Sequence, residues 1–187
     1  MISLMIRNAL SVIAGGMLAF IWSSLSWMVL PWHQPTMNVF ENEESVGAMI
    51  KEAAPKAGIY TYPGWTDDAE DMKKKHGEGP YVFASIVPGG VGVEMGRMMF
   101  NGILISVLGS AFLLILMLVL PPGTSWKQKA LVGIVAAIFV SLVPPLLNWN
   151  WWHFPMPFTI VAILDGIVAW SIAAIAIALI ISRGQKA

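Results

Sequence analysis

Four long apolar segments constrain this chain more than any other feature of its sequence. A helix needs about 20 mostly apolar residues to cross a bilayer. The segments that meet or approach this length are residues 9–30, 98–120, 130–147 and 158–182. Pro144 and Pro145 lie near the end of the third segment, and Asp165 is the one charged residue in all four. The sequence therefore predicts a membrane protein whose fold is an all-α four-helix transmembrane bundle.

Most charged residues lie between the first and second apolar segments. Ten of the 11 acidic residues lie between Glu41 and Glu94. Local patterns in this segment predict four elements in order. They are a helix over 43–54 with Asn42 as its cap, a strand over 58–62, a helix from a Thr66 cap to a stop at Gly77, and a strand over 80–86. We therefore expect a small α+β domain inserted between the first and second spans.

The segments and the polar region divide the chain into three parts. Residues 1–31 contain the first transmembrane helix, residues 32–97 form the α+β domain, and residues 98–187 contain the other three helices. The first apolar stretch is longer than the core of a signal peptide, and no small-residue cleavage site followed by a polar start is evident. We expect it to be retained as a membrane anchor.

Basic residues predict the orientation of the spans. Those that flank the spans without an acidic neighbour are Arg7, Lys127, Lys129, Arg183 and Lys186. Cytoplasmic loops carry an excess of Lys and Arg. We therefore expect a multi-pass protein of the bacterial inner membrane, with both termini cytoplasmic and residues 32–97 extracytoplasmic, in the periplasm. Arg97 opposes this trend, but long translocated segments have little influence on orientation.

Small residues recur at a spacing of four in each span, which places them on one helical face. The stripes are Ser11, Gly15, Ala19 and Ser23; Gly102, Ser106 and Ser110; Gly133, Ala137 and Ser141; and Ala162 and Gly166. Helices in membranes associate closely through small residues because lipid provides little hydrophobic drive for their association. The stripes predict a compact bundle, and the fourth stripe is the weakest of them.

Tryptophan residues cluster at the predicted outer ends of the spans. The relevant positions are Trp32, Trp149, Trp151 and Trp152, the last three in an expected loop over 148–157. Tryptophan favours the headgroup level of a bilayer, because its ring is apolar and its N–H requires a partner. We interpret the cluster as an interfacial belt, with a pigment or quinone pocket as the alternative.

Asp165 is the most informative single residue of the sequence. A carboxylate within hydrocarbon is costly, so it is expected to face the bundle interior, a cavity or a partner protein. One interpretation is an intramembrane proton or cation site. The other is a structural acid, hydrogen-bonded to Ser, Trp or a backbone group. The sequence leaves both open.

Two histidines at the outer ends of spans suggest a weak metal site. His33 follows the first span and His153 follows the third, with Met37 and Glu94 as further candidate ligands. Imidazole and thioether groups suit copper and related transition metals. The spacing is not that of a known ligand motif, so the pattern indicates a metal only weakly.

Several classes of site and partner have no signal in the sequence. The chain has no cysteine, which excludes disulfides, thiolate metal sites, iron–sulfur clusters and covalent c-type haem. The glycines at 89, 90 and 92 lack the Gly-Lys-Ser/Thr end of a nucleotide-binding loop. The formal net charge is zero, so no nucleic-acid partner is predicted. No nucleophile motif is visible, and the chain is not expected to be an enzyme.

Four short pieces of the chain are similar to known sequences. They are Ser26-Trp27-Met28-Val29-Leu30-Pro31-Trp32-His33, Ala57-Gly58-Ile59-Tyr60, Gly79-Pro80-Tyr81-Val82-Phe83 and Asn148-Trp149-Asn150-Trp151-Trp152. In these pieces the chain resembles an uncharacterised family of small bacterial four-span membrane proteins. The resemblance covers most of the chain and implies no activity. The position of His153 is often a small residue in that family, which weakens a metal site that needs it.

The sequence favours one function and leaves two others open. Small size, small-residue stripes and the lack of a catalytic motif favour a non-enzymatic accessory or assembly subunit of a larger bacterial membrane complex. Its partners would be the lipid bilayer and other membrane protein subunits. The alternatives are a small transporter or channel that uses Asp165 as a proton or cation site, and a metal-binding membrane protein built on His33 and His153.

Overall fold

The computed structural model describes residues 3–92 and 94–183, which form six α-helices, one 3₁₀ turn (Gln34–Thr36) and two strands. In chain order the α-helices and strands are α1 (Leu4–Met28), α2 (Glu43–Ala53), β1 (Gly58–Tyr62), α3 (Ala69–Glu78), β2 (Val82–Ile86), α4 (Met95–Leu118), α5 (Trp126–Trp152) and α6 (Met156–Ser182). The described residues divide into two compact units. One contains residues 3–37 and 94–183, and the other contains residues 38–92.

Four of the helices, α1, α4, α5 and α6, are long and apolar enough to cross a membrane. This agrees with a multi-pass membrane protein. The bounds of α4 and α6 lie within three residues of those expected from the sequence. Helix α1 begins five residues before the expected segment, so that Arg7 lies within the helix. Lys186 lies outside the described residues.

Helix α5 is longer at both ends than the sequence indicates. It was expected over 130–147 with a loop from 148. It begins at Trp126 and ends at Trp152, and it contains Pro144 and Pro145 without a break. Neighbouring helices can stabilise a membrane helix across a proline, although the proline removes a backbone hydrogen bond. Helix α6 supplies such packing, because a Cβ atom added at Gly166 would lie 2.7 Å from Ser141 Oγ. His153 ends the helix in the left-handed conformation, with φ 55°.

Helix α1 runs antiparallel to α4, α5 runs antiparallel to α6, and α6 contacts all three other long helices. Helix α6 packs most extensively against α5 and α1, while α4 packs mainly against α1 and only sparsely against α5. The bundle therefore has two ends. We call the end where α1 and α5 begin the Arg7 end, and the end where α5 stops and α6 begins the His33 end.

The long helices approach one another very closely at particular glycines. A Cβ atom added at Gly16 of α1 would lie 2.6 Å from the backbone Cα of Val107 of α4. One added at Gly133 of α5 would lie 2.6 Å from the Cβ of Ala174 of α6. Real Cβ atoms essentially never lie this close to another atom, so a methyl group at either position would force the neighbouring helix to shift.

Small residues also occupy the other predicted packing positions. Gly102 of α4 lies against the Phe20 ring, and the Ser106 hydroxyl donates to the Gly102 carbonyl at 2.9 Å. Ser110 is fully buried beside Gly15. The members of the α5 stripe, Gly133, Ala137 and Ser141, are all buried. In α6, Ala162 and Gly166 are only half-buried. The buried positions are Thr159 in the first turn and, further along the helix, Ala169, Ala173, Ala174, Ile177, Ala178 and Ile181.

The buried face of α1 departs from the predicted stripe near its C-terminal end. The first three stripe residues are buried, but Ser23 is half-buried and Ser26 is fully buried instead. A helix has 3.6 residues per turn, so each step of four residues rotates the stripe by about 40°. After three such steps Ser23 has turned away from the bundle interior. Trp22 and Ser26 face the interior in its place.

The smaller unit contains α2, α3 and an antiparallel hairpin. Strand β1 pairs with β2 in a register that places Gly58 opposite Ile86. The predicted bounds of β1 are confirmed, as is the Asn42 cap of α2, whose side chain accepts a hydrogen bond from the backbone N–H of Ser45. Strand β2 begins at Val82 rather than residue 80, and Pro80 has no N–H to contribute to a ladder.

The predicted ends of α3 are wrong. Asp68, rather than Thr66, caps the helix, and its carboxylate accepts hydrogen bonds from the N–H groups of Glu70 and Asp71. A carboxylate also interacts favourably with the positive end of the helix dipole, which a hydroxyl does not do. The helix continues through Gly77 and ends before Gly79, whose φ of 67° suits a glycine.

Candidate intramembrane polar site

Asp165 faces α1 inside the bundle. It lies nine residues into α6, about 13 Å from the start of the helix. Its Oδ1 accepts a hydrogen bond from Trp22 Nε1 at 2.7 Å. The Asp165 side chain is 13% exposed. The one acid of the spanning helices is therefore hydrogen-bonded within its own chain.

His33 is the second partner of the Asp165 carboxylate. His33 Nε2 lies 3.5 Å from Asp165 Oδ2 and 3.0 Å from Ser26 Oγ, and the side chain is 5% exposed. An unprotonated carboxylate at this position favours the imidazole form that carries a hydrogen on Nε2, since that hydrogen faces both acceptors. Either a neutral or a positively charged imidazole satisfies this geometry.

The chain around His33 holds the imidazole in place. Helix α1 ends at Met28, and a short turn carries the chain to His33. The Trp27 ring stacks on the imidazole, with centroids 3.9 Å apart and an angle of 11° between the planes. A 3₁₀ turn over Gln34–Thr36 follows, and the Thr36 hydroxyl donates to the His33 carbonyl at 2.7 Å. Stacking on Trp27 therefore restrains the ring, and the Thr36 hydrogen bond restrains the backbone that carries it.

Ser26 and Trp32 complete the polar network. Trp32 Nε1 donates to Ser26 Oγ at 2.9 Å, and Ser26 is fully buried. Trp32 also packs edge-on against the rings of both Trp22 and His33. Hydrogen bonds and the 3.5 Å contact between His33 and Asp165 thus connect Trp32, Ser26, His33, Asp165 and Trp22. We call these five residues the Asp165 network.

The Asp165 network can do two things chemically. It can bind a proton, because it contains a carboxylate and an imidazole within 3.5 Å. It also links the C-terminal part of α1 to α6, because Trp22 and Asp165 are 143 positions apart in the sequence. Toward the Arg7 end, the fully buried residues of α6 are apolar, namely Ala173, Ala174, Ile177 and Ala178.

The other predicted metal ligands have different surroundings. His153 ends α5, Met37 follows the 3₁₀ turn, and Glu94 caps α4 with its carboxylate 3.1 Å from Arg97 Nε. Within residues 3–92 and 94–183, no three His, Asp or Glu side chains cluster as they would around a metal ion. The polar contacts of the His33 ring are with Ser26 and Asp165. The metal site stays a prediction.

The predicted interfacial tryptophans lie in two different settings. Trp32 belongs to the Asp165 network. Trp149, Trp151 and Trp152 lie in the last turn of α5, with 40–66% of each residue exposed, rather than in a loop. Their exposure at a helix end is compatible with the headgroup level of a bilayer.

Sequence reasoning missed Trp22 and Ser26 as site residues. Trp22 and Ser26 are four residues apart and lie on the same side of α1 as Gly15 and Ala19 when the helix is drawn at 3.6 residues per turn. Reading that face at 3.6 residues per turn would have placed an indole N–H and a hydroxyl toward the bundle interior.

Comparisons with known proteins give no further identification. No protein-family model matches the chain, and no curated protein or solved structure is detectably similar to it.

Proposed function

We propose that this chain is a non-enzymatic accessory or assembly subunit of a larger bacterial membrane complex. In this proposal it lies in the inner membrane with both termini cytoplasmic, and the unit that contains α2, α3 and the hairpin is an inserted domain in the periplasm. The observation that carries the proposal is an apolar cleft on the side of the bundle, between α4 and α5.

The cleft exists because α4 and α5 make few contacts with each other. Its volume is about 370 Å³, and its lining comes from three helices. The residues are Gly109, Phe112, Leu113 and Leu116 of α4, Ala136, Ala137, Phe139 and Val140 of α5, and Trp170 of α6. Apart from the indole N–H of Trp170 these side chains are apolar, so the cleft suits an occupant within the hydrocarbon region.

The distribution of side-chain sizes favours a helix as the occupant. Ala136 is small and half-buried, whereas Phe112 and Phe139 are 65% and 69% exposed. Gly109 is already covered by the Trp170 ring, and Ala137 is fully buried within the bundle. Small residues allow the backbone of a second helix to approach closely, and packing is what drives helix association in lipid. We therefore assign the cleft to a transmembrane helix of a partner subunit.

The Asp165 network supports the same function. An intramembrane acid that lacked a partner in its own chain would call for a cation on another subunit or on a substrate. Here Trp22 and His33 already contact both carboxylate oxygens. We therefore assign the network a structural role, holding α1 against α6 so that the bundle presents a fixed surface to its partner.

Site-specific photocrosslinking in native membranes tests the assignment of the cleft. A photoreactive phenylalanine analogue at position 139 is expected to crosslink to an apolar spanning segment of one protein. The analogue at position 100 is the matched control, since Phe100 is 59% exposed on α4 and does not line the cleft.

The variant Phe112→Ala is expected to reduce co-purification of that same partner in mild detergent, whereas Phe100→Ala is not. Crosslinking of position 139 to lipid alone, with a monomer recovered from native membranes, would contradict the proposal.

A second function is favoured by the His33–Asp165 contact. Two titratable groups 3.5 Å apart within a membrane domain are also the arrangement expected of a proton or cation site in a small transporter or channel. Proteoliposomes containing the chain would then show proton or cation flux that Asp165→Asn abolishes. Asp67→Asn, at an exposed acid of the smaller unit, is the control. Flux unchanged by Asp165→Asn would dispose of this candidate.

A further inference from the structure

We infer that the cleft between the start of α5 and the end of α6 binds the headgroup of an anionic phospholipid. The cleft lies at the Arg7 end of the bundle and has a volume of about 240 Å³. Its lining residues are Trp126, Leu179, Ser182 and Arg183. This inference concerns a different surface from the cleft between α4 and α5 and does not depend on the proposed function.

The lining combines the groups that a phospholipid headgroup requires. Arg183 offers a guanidinium group, which binds phosphate oxygens through several N–H donors. Leu179 and the Trp126 ring offer apolar surface, and tryptophan favours the headgroup level of a bilayer. A ligand with an anionic phosphate and an apolar body matches both halves of the cleft.

Ser182 supplies the second observation that indicates a ligand. Its Oγ is buried and has no hydrogen-bond partner within residues 3–92 and 94–183. A buried hydroxyl without a partner is unfavourable, because it has lost its hydrogen bonds to water. Because Ser182 lines the cleft, a rotation of its side chain would turn this hydroxyl toward a bound phosphate oxygen, which would accept its hydrogen bond.

The charge at this end of the bundle is positive. The basic residues in the terminal turns of the helices here are Arg7, Lys127, Lys129 and Arg183, and Lys129 is buried. Arg7 Nε is also buried without a hydrogen-bond partner in the described residues.

The sequence has no Asp or Glu before Glu41, between Met95 and Leu164, or after Asp165. Helices α1, α4 and α5 therefore contain no acid, and Asp165 of α6 lies toward the His33 end. Basic pockets between transmembrane helices are a common mode of anionic lipid recognition. The charge therefore favours an anionic lipid over a zwitterionic one.

Native mass spectrometry of the full chain in a non-ionic detergent tests the inference. We expect phosphatidylglycerol to bind at least about tenfold more tightly than phosphatidylcholine. Arg183→Gln should weaken phosphatidylglycerol binding by about 10- to 100-fold, the range expected for a charged hydrogen bond. Ser182→Ala removes a neutral hydrogen bond and should weaken binding by about 2- to 10-fold.

Arg97→Gln is the matched control, because Arg97 is an exposed arginine at the start of α4, where the helix begins at the opposite end of the bundle. It should leave phosphatidylglycerol binding unchanged. Equal binding by the wild type and Arg183→Gln, or an equal loss in Arg97→Gln, would overturn the inference.

Inorganic phosphate distinguishes a lipid site from a site for a free anion. If the apolar wall contributes to recognition, millimolar phosphate will not displace phosphatidylglycerol. Displacement by phosphate alone would overturn the assignment to lipid. Circular dichroism of each variant checks that folding is intact, and the mild Ser182→Ala variant provides the readout if Arg183→Gln does not fold.

Discussion

At the scale of single residues, Trp22 has the greatest influence on the intramembrane acid. Its indole N–H makes the shortest contact to Asp165, at 2.7 Å, while His33 Nε2 approaches the other oxygen at 3.5 Å. A hydrogen bond to a charged group contributes more than a neutral one, and removal of one partner leaves the other unsatisfied in a poorly hydrated environment. The network therefore depends on Trp22, which nothing in the sequence distinguishes from the other eight tryptophans.

Trp22→Phe is expected to lower the stability of the chain by about 1–3 kcal/mol, because it retains most of the ring and removes the donor to Asp165. Thermal unfolding in detergent measures the change. Trp149→Phe is the matched control at a position that is 42% exposed, and it should have little effect. The assignment fails if both variants unfold at the same temperature, or if Trp22→Phe has an equal effect in an Asp165→Leu background.

At the scale of elements, the bundle depends on where a helix backbone can approach its neighbour. Gly16 meets the backbone of Val107, which cannot move away as a flexible side chain could. Gly96, near the start of α4, has no atom within 4 Å of where its Cβ would be. A larger side chain would therefore disturb helix packing at position 16 but not at position 96.

Gly16→Ala is expected to push α1 and α4 apart and to destabilise the chain by about 1–3 kcal/mol. Gly96→Ala should be neutral or slightly stabilising, since alanine favours a helix more than glycine does. Unfolding in detergent compares the two variants. A destabilisation by Gly96→Ala as large as that by Gly16→Ala would show that the close approach is not the cause.

Helix α3 carries a pH-dependent pair. A hydrogen bond from Lys75 Nζ to Asp71, at 2.7 Å, together with the attraction of the carboxylate, raises the pKa of Lys75. Because the pKa is raised in the folded state, the pair contributes fully below the unfolded lysine pKa and loses its contribution as pH rises through the folded value. NMR titration of the Lys75 side chain in the full chain should show a higher midpoint than in Asp71→Asn. Identical midpoints would contradict the pairing.

The elements were predicted unequally well, for reasons specific to each. The strand over 58–62 and the Asn42 cap follow from local patterns, and both are confirmed. The cap of α3 was misplaced by two residues because Thr66 and Asp68 are both good caps, and the charge of Asp68 decided between them. The end of α5 was misplaced because the apolar run stops at Leu147 and polar residues begin at Asn148, whereas the helix continues to Trp152.

At the scale of the whole molecule, the bundle is asymmetric in charge and in packing. The Arg7 end carries basic residues, whereas the His33 end carries the acid–imidazole pair. The sparse contact between α4 and α5 leaves one side of the bundle open. The two proposed binding surfaces arise from these two asymmetries.

Reporter fusions test the proposed orientation in the membrane. A fusion after Gly77 is expected to report export, and one after Ser125 is expected to remain cytosolic, because Lys127 and Lys129 lie in the loop region that the positive-inside rule keeps inside. The measurement uses two reporters at each position, one that is active only after export and one that is active only in the cytosol. The proposed orientation is wrong if the Gly77 fusion is cytosolic or the Ser125 fusion is exported.

The sequence by itself determined the number of long apolar helices and the position of the polar segment, because both depend on composition over about 20 neighbouring residues. It also identified Asp165, since a charge among apolar residues is visible without a structure. Only the tertiary structure decided that Trp22 and His33 contact this acid, that the closest helix contacts occur at particular glycines, and that α4 and α5 leave a cleft. The reason is that such contacts join residues up to 143 positions apart, and they depend on how four helices rotate and pack rather than on any local pattern.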